Sequence, residues 1–442
     1  MDDYKGIDLV KIKKLSIKKE EPETILNFRL QAYQHFLNLK NPKYGPSLKK
    51  IDFSDIIYYH SEQAQTETWK EVKKPIKQTF LDIGVIGAEE NYLGGLATQY
   101  ESEVVYRNLK NELKEKNIIF CDINTAIKEH YQLFKKYFAK LVKNDDNKYA
   151  ALNSACFSGG TFIYIPKDTK LEKPLHSYFL INQAKMGQFE RTLIIVEENA
   201  ELTYIEGCSA KMNLDYSLHA AVVEIFVQKN AKCRYITLQN WSQNVYNLVT
   251  KRAICKESAQ MEWIDGNIGS FINMKYPAII LEGDNSIGKM VSVALATKKQ
   301  NQDTGAKMIH LGNNTSSTII SKSISQNGGQ TTYRGLVFHD KKAINAKSNI
   351  QCDTLIIDHK SKSNTIPFNI IKNGSSEIEH EAKVSNISEE MLFYLMSRGL
   401  SKNEANQLIM TGFIEQFVKE LPFLYAAEFN QLLKHEMKGA IG

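Results

Sequence analysis

Hydrophobic and polar positions along this chain change their period twice. Over residues 1 to about 150 the pattern is mostly helical. Glu21-Pro-Glu-Thr opens an amphipathic run with Ile25, Leu26, Leu30, Tyr33, Phe36 and Leu37 on one stripe, stopped near Pro42. A second stretch carries Ile127, Tyr131, Phe134 and Phe138 at helical spacing, and the polar segment from Lys143 to Lys148 follows as a linker. From about 157 to 385 short β-branched runs take over: TFIYIP, RTLIIV, AAVVEIFV, YPAIIL and CDTLIID. Small polar turns separate them, with no convincing amphipathic helix. After Ser388 helical spacing returns with Leu392, Leu395 and Met396, and Gly399 is placed to end that helix. Ser401 and Glu404 make a capping box for the next, which carries Leu408, Ile409, Phe413 and Phe417. Pro422 precedes a last helix with Phe429, Leu432 and Leu433. The expected division is 1–150 mostly helical, 151–385 β and 386–442 helical.

The turns of the middle region repeat. VEENAELTY from Val196, VQKNAKCRY from Val227 and CKESAQMEW from Cys255 share an apolar residue, three polar residues, an alanine and then alternation ending in an aromatic. Their alanines, Ala200, Ala231 and Ala259, are 31 and 28 positions apart, and looser echoes follow at Asn285, Thr315, Ala343 and Ser375. A period near thirty without helices predicts stacked parallel strands, a β-helix, with turns near Asn199, Asn230, Ser258, Asn314 and Lys342. Eight residues after the three alanines stand Cys208, Gln239 and Asn267, predicted to form one column on adjacent rungs. Trp241 is two further than Gln239 and so on the same face. Cys233 aligns with Leu202 and Met261 and reads as core packing. The C-terminal helices are either a cap for the solenoid or a docking surface.

Composition removes several function classes. Hydrophobic residues at 43% and charged residues at 24% suit a globular protein, and the net charge of +6 is too dispersed to suggest nucleic acid. No apolar run approaches the roughly eighteen residues of a membrane span, and the start lacks the order of a secretory signal. A cytoplasmic location is expected, or a plastid stroma if the chain is organellar. The 6 cysteines contain no C-x-x-C pair and fit a reducing compartment. Gly283-Asp-Asn-Ser-Ile-Gly-Lys289-Met290 nearly spells a phosphate-binding loop. Met290 replaces the magnesium-holding hydroxyl, however, and a strand pattern follows where a helix is required. SSEIEHEAKVS, from Ser375, clusters Glu377, Glu379, His380 and Glu381. On these residues alone it is a solvated strand or a metal-ligand set, and it lacks the second histidine of a zinc protease.

Longer motifs resemble the SufB/SufD family of the SUF iron–sulfur cluster assembly system. They include FRLQAYQHFLNLKNPKYGP, MGQFERTLIIVEE, YIEGCSA, LHAAVVEIFV, LQNWSQNVYNLVTKR, GAKMIHLGNNTSSTIISKSIS and the run from IEHEAKVS to FVKELP. The resemblance spans essentially the whole chain. It implies a mainly β protein: an N-terminal helical domain, a right-handed parallel β-helix core and C-terminal helices that dock the SufC ATPase. It implies that Cys208 accepts sulfur and that Cys352 takes part in building the cluster, with Glu379, His380 and Glu381 beside it as further ligands. Asn182, Gln239, Trp241 and Lys251 fall on the family's proposed sulfur path. The partners implied are SufC, SufD or a second SufB copy, and a sulfur donor such as SufE or SufU. The cofactor implied is a transient iron–sulfur cluster, with a reduced flavin in the complex left open. One departure is Leu180, where the family often has arginine; either the entrance lacks that positive charge or Lys185 or Arg191 supplies it.

These residue types suit the chemistry. A thiolate accepts sulfur as a persulfide and is also the usual cluster ligand, and iron takes imidazole and carboxylate too. On one strand His380 faces away from Glu379 and Glu381, so His380 with Cys352 is the preferred pair. The chain is therefore expected to be a non-enzymatic assembly scaffold whose ATP hydrolysis belongs to SufC. A SufD-like structural partner without its own cluster is the nearest alternative. A carbohydrate-active β-helix enzyme is more remote, because it needs clustered acids on the solenoid wall.

Overall fold

The computed structural model describes residues 4–211 and 215–438. Two facing sheets dominate it, one of 10 strands and one of 12. The chain winds between them, laying one strand in each wall per rung, and successive strands within a wall pair in parallel. The ten-stranded wall takes Glu201–Ala210, Lys232–Trp241, Gln260–Gly269, Ile287–Thr297, Ser316–Gln326, Lys347–Ile356 and Glu377–Asn386 in that order. Facing them run Arg191–Val196, Val222–Val227, Val245–Cys255, Asn301–His310, Gln330–His339 and Lys362–Ile371, with Ile272–Lys275 and Ala278–Leu281 sharing one rung. Strand content of 40% against 25% helix, in about 8 solenoid turns, makes the protein mainly β, as the thirty-residue period predicts.

The period has a backbone cause. At one of its turns each rung passes through a left-handed residue: Asn199, Asn230, Ser258, Asn285, Asn314 and Asn345, with φ between 52° and 60°. Asparagine tolerates that region better than other non-glycine residues. The asparagines also stack, since Asn230 Nδ2 donates to Asn199 Oδ1 at 3.0 Å and Asn345 Nδ2 to Asn314 Oδ1 at 3.3 Å. The turn expected at Lys342 thus has its left-handed residue at Asn345. Gly283 belongs to this stack: a Cβ there would lie 2.0 Å from the backbone nitrogen of Glu257. The loop beginning at Gly283 leads into the strand Ile287–Thr297 rather than into a helix, so no phosphate cradle forms.

Inward positions alternate along each strand. Tyr204, Tyr235, Trp263, Met290, Ile319 and Ile350 stack in register, with Tyr204–Tyr235 and Tyr235–Trp263 ring centroids both 4.9 Å apart. Cys233 and Cys255 are buried in the same core, as their alignment with apolar positions suggests.

The first 150 residues add strands as well as helices. Gly95–Tyr100 pairs in parallel with Leu175–Ile181 and antiparallel with Glu103–Leu109, while Ile119–Asp122 closes the other wall. The run from Ile127 to Phe138 forms two helices, Ile123–Glu129 and Tyr131–Tyr137, parted at His130. Helix Lys148–Cys156 is buried at every position from Tyr149 on. It therefore carries no polar stripe by which the sequence could have announced it. Glu224 anchors this region to the solenoid. It accepts from the backbone nitrogens of Ala139, Leu141 and Val142 at 2.8–3.0 Å and pairs with the buried Arg191 at 2.8 Å.

The C-terminal helices, Glu389–Ser397, Lys402–Phe413, Glu415–Glu420 and Phe423–Lys438, do not cap the solenoid end. Met410, Ile414, Phe417, Phe429 and Leu433 pack on the outer face of the ten-stranded wall, against Ile236, Ile264 and Val293. Glu420 fastens them by ion pairs of 2.8 Å to Arg234 and to Lys289. The predicted Ser401–Glu404 capping box is present. Among the described residues no helix is long and apolar enough to cross a membrane.

Candidate functional site

Cys208, Gln239 and Asn267 stand in register on three consecutive strands of the ten-stranded wall, as the repeat predicts. A second inward column, two residues earlier on each strand, runs Glu206, Thr237, Asp265, Ser292, Ser321 and Cys352. Cys208 and Cys352 therefore face one interior from neighbouring columns. They are separated by the five strand pairings that lie between their strands, or about 24 Å at the usual spacing of strands.

The opposite wall supplies His219, Asn247, Asn273, Gln302 and Thr331 in register. Bonds cross the interior from these residues. Asn247 Nδ2 donates to Gln239 Oε1 at 3.0 Å and to Asn273 Oδ1 at 2.7 Å, and Asn273 Nδ2 donates to Asn267 Oδ1 at 3.3 Å. Two buried lysines reach over from the same wall. Lys251 Nζ donates to Glu206 at 3.0 Å and to Thr237 at 2.7 Å; Lys275 Nζ pairs with Asp265 at 3.1 Å and donates to Gln239 at 3.1 Å. Buried charges are tolerable only when paired in this way. Even so, Gln239 Nε2, Trp241 Nε1, Glu190 Oε1 and Asp265 Oδ1 are buried without a partner among the described residues. Further along, the lining changes to hydroxyls: Ser292 donates to Ser321 at 3.2 Å, and Ser325 meets Thr331 at 2.8 Å.

Burial pushes the Cys208 thiol well above the ordinary range, and the charges of Glu206 and Glu190 add to this while Lys251 and Lys275 oppose it. Burial likewise lowers Lys275. At His219 burial acts downward, but the Glu190 carboxylate and hydrogen bonds outweigh it and the net shift is upward. Asn182 lies outside the column at the end of its strand. With Leu180, Ser209, Lys211 and Trp241 it lines a surface cleft of about 780 Å³. Neither candidate for the missing arginine lines that cleft, since Arg191 is turned to Glu224 and Lys185 pairs with Asp55 at 2.8 Å. Among the described residues Lys211 is the cation that lines it.

Cys352 is buried, and its thiol is pushed up to about 12 by burial, against the opposing effect of the nearby Tyr333 hydroxyl. His380 pairs in register with Ile350, and Cys352 with Ala382, so the cysteine and histidine are diagonal neighbours on adjacent strands. Diagonal pairs of this kind stand about 7–8 Å apart at their Cα atoms. Burial lowers His380, whose Nε2 has no partner among the described residues. Glu379 and Glu381 are exposed on the opposite face, and Glu379 accepts from Asn349 Nδ2 at 2.8 Å. Among the described residues no group of three or more His, Cys, Asp and Glu side chains is close enough to hold a metal ion.

Sequence reasoning overlooked His219 and Glu190. The signal was present, because His219, Asn247 and Asn273 repeat at 28 and 26 residues, the same period that revealed the cysteine column.

Comparison with known proteins adds a second line of observation. The family model described as "SUF system FeS cluster assembly, SufBD core domain" matches residues 179–413, and that of the SufBD N-terminal region matches 97–176. The chain is 55% identical over 439 residues to the iron–sulfur cluster assembly protein SufB of Bacillus subtilis, covering 99% of this chain and 94% of that one. It is 55% identical over 432 residues to an iron–sulfur cluster assembly SufBD family protein of Staphylococcus epidermidis, covering 98% and 93%.

Proposed function

This chain belongs to the SufBD family of the SUF iron–sulfur cluster assembly system, and from that membership we propose that it is the scaffold on which the cluster is built. Sulfur enters as a persulfide on Cys208, passes along the polar interior by Gln239, Trp241 and Lys251, and meets iron beside Cys352 and His380. Asn182 stands at the entry. The observation that carries this reading is the pair of cysteines facing one continuous polar interior from neighbouring columns. An apolar solenoid core would serve folding at least as well, so buried amides, charges and hydroxyls between two thiols point to a use.

The cluster is cargo, and a sparse ligand set lets it leave. Cys352 and His380 on one chain are too few to hold it, which supports a site completed by a second subunit, SufD or another copy. The end of the solenoid is suited to such a subunit. Ile366, Phe368, Ile371 and Val384 on the last rung are 43–61% exposed, and both walls end there in a strand without an outer neighbour among the described residues. Such edges invite pairing. Helix Glu389–Ser397 buries none of its residues and exposes Met391, Phe393, Tyr394 and Met396, which supports docking of SufC, the proposed source of ATP hydrolysis. A protein of the SufE or SufU type is the proposed sulfur donor.

The test is anaerobic reconstitution of the purified complex followed by visible absorption. Cys352→Ser should still bind SufC and SufD and show no cluster absorbance. A cluster of normal yield in that variant would overturn the proposal. The SufD-like alternative predicts no cluster in the wild-type protein either.

A further inference from the structure

The strand register places opposite Cys208, on the facing wall, a residue that the sulfur path does not include. On the next two rungs the residue in its column is hydrogen-bonded to one on the facing wall: Gln239 to Asn247 at 3.0 Å and Asn267 to Asn273 at 3.3 Å. Stepping both columns back by one rung puts His219 opposite Cys208. His219 is fully enclosed, and both ring nitrogens are occupied. Asn247 has committed its amide nitrogen to two acceptors, so its Oδ1 accepts from His219 Nδ1 at 2.6 Å. His219 Nε2 meets Glu190 Oε2 at 2.5 Å. That leaves Glu190 Oε1, buried and unpartnered among the described residues, as the free acceptor of the pair.

Resting on the reading of Cys208 as sulfur acceptor, we infer that Glu190 takes the thiol proton of Cys208 and that His219 is the positioning residue that holds Glu190 for it. The step balances without an oxidant. Cys208 Sγ attacks the outer sulfur of a persulfide donor, the donor's S–S bond breaks, and the proton passes through Glu190 to the departing donor thiolate. The other charged groups facing this space are engaged or remote. Glu206 is bonded through both oxygens, to Lys251 and Tyr235, and Lys275 is paired with Asp265. Asp265 keeps one free oxygen but sits two strand pairings from Cys208, about 10 Å along the axis.

The experiment uses the full-length chain and inorganic polysulfide as donor, with sulfur on the Cys208 peptide followed by mass spectrometry across pH. Glu190→Gln and His219→Gln should each slow uptake near neutral pH by about a hundredfold. They should converge on the wild-type rate at alkaline pH, where hydroxide removes the proton, and Glu190→Asp should recover part of the loss. A purely structural role would depress the rate equally at every pH, and that result, or no change, would overturn the pair's assignment alone. Sulfur that never loads on Cys208 in the wild-type chain overturns the role of Cys208 and the pair with it. If neither variant folds, the wild-type profile decides. Uptake should level off below about pH 8.5, where a free thiol ionises; a rate that climbs in step with hydroxide through that range contradicts the inference.

Discussion

Around Cys208 the solenoid interior is enclosed by both walls and by helices outside them, and its lining is charged: Glu190, Glu206, Asp265, Lys251 and Lys275 are each at most 7% exposed in their side chains. Around Cys352 the interior is lined by hydroxyls, only one further rung covers it, and the strands of that rung are largely exposed. Cys208 is thus the better-buried cysteine, with its thiol held well above the ordinary range, while that of Cys352 rises to about 12. Each thiol must give up its proton to react, because the nucleophile is the thiolate. The difference lies in what would open each of them. At Cys208 compensation must come from inside, from fixed lysines and the Glu190–His219 pair. At Cys352 it can come from outside, by the approach or departure of another subunit.

The contrast predicts unequal stability effects. Lys251→Met leaves Glu206 buried without its cation and should lower unfolding free energy by about 3–5 kcal/mol, since the remaining charge loses its partner in a dry interior. Lys347→Ala removes an exposed pair with Glu377 on the open side and should cost about 0–1 kcal/mol. Urea denaturation of the two variants compares them directly. Equal losses would mean that the interior is wetter than the burial of its ion pairs implies.

Acid should act through buried histidines. His176 and His310 are both lowered to about 3 by burial, with His339 adding to the effect at His310. Both are neutral in the folded chain, whereas the unfolded chain binds their protons below about pH 6.5. Stability is therefore intact above that pH and falls as pH drops from about 6.5 toward 3, by about 1.4 kcal/mol per unit for each histidine. Urea midpoints at pH 7 and pH 5 should differ, and His310→Gln should flatten the difference. An unchanged slope in that variant would mean that His310 is already protonated in the native state.

Smallest in stability, though large in binding, is the effect of Phe393→Asp. Phe393 is 74% exposed on a helix that buries nothing, so the melting temperature should barely move. Capture of SufC in a pull-down should be lost. Full retention would remove that helix from the docking surface.

Much of this architecture was legible in the sequence because the solenoid writes its period into the turns. A left-handed Asn or Ser every 27 to 31 residues is a backbone requirement, and it also fixes which side chains align. Cys208, Gln239 and Asn267 could be placed on that basis alone. Helix Lys148–Cys156 could not, because burial on all sides erases amphipathic contrast. The break at His130 was hidden too, since apolar spacing continues through it. His219 and Glu190 were missed for another reason. The cysteine column lies on one wall, whereas these two residues sit on the facing one, reached through a separate strand. The resemblance carried Cys352, His380 and the glutamates, and geometry then separated the inward His380 from the outward Glu379 and Glu381.

The central claim is directional: sulfur enters at Cys208 and arrives at Cys352. It is tested most directly by loading the intact complex with sulfur from a persulfide donor and following both cysteines in time by mass spectrometry. In the wild-type complex Cys208 should fill first and Cys352 after it. In Cys352→Ser the sulfur should stay on Cys208, and in Cys208→Ala neither position should fill. Loading of Cys352 at the wild-type rate in the Cys208→Ala complex would contradict the account.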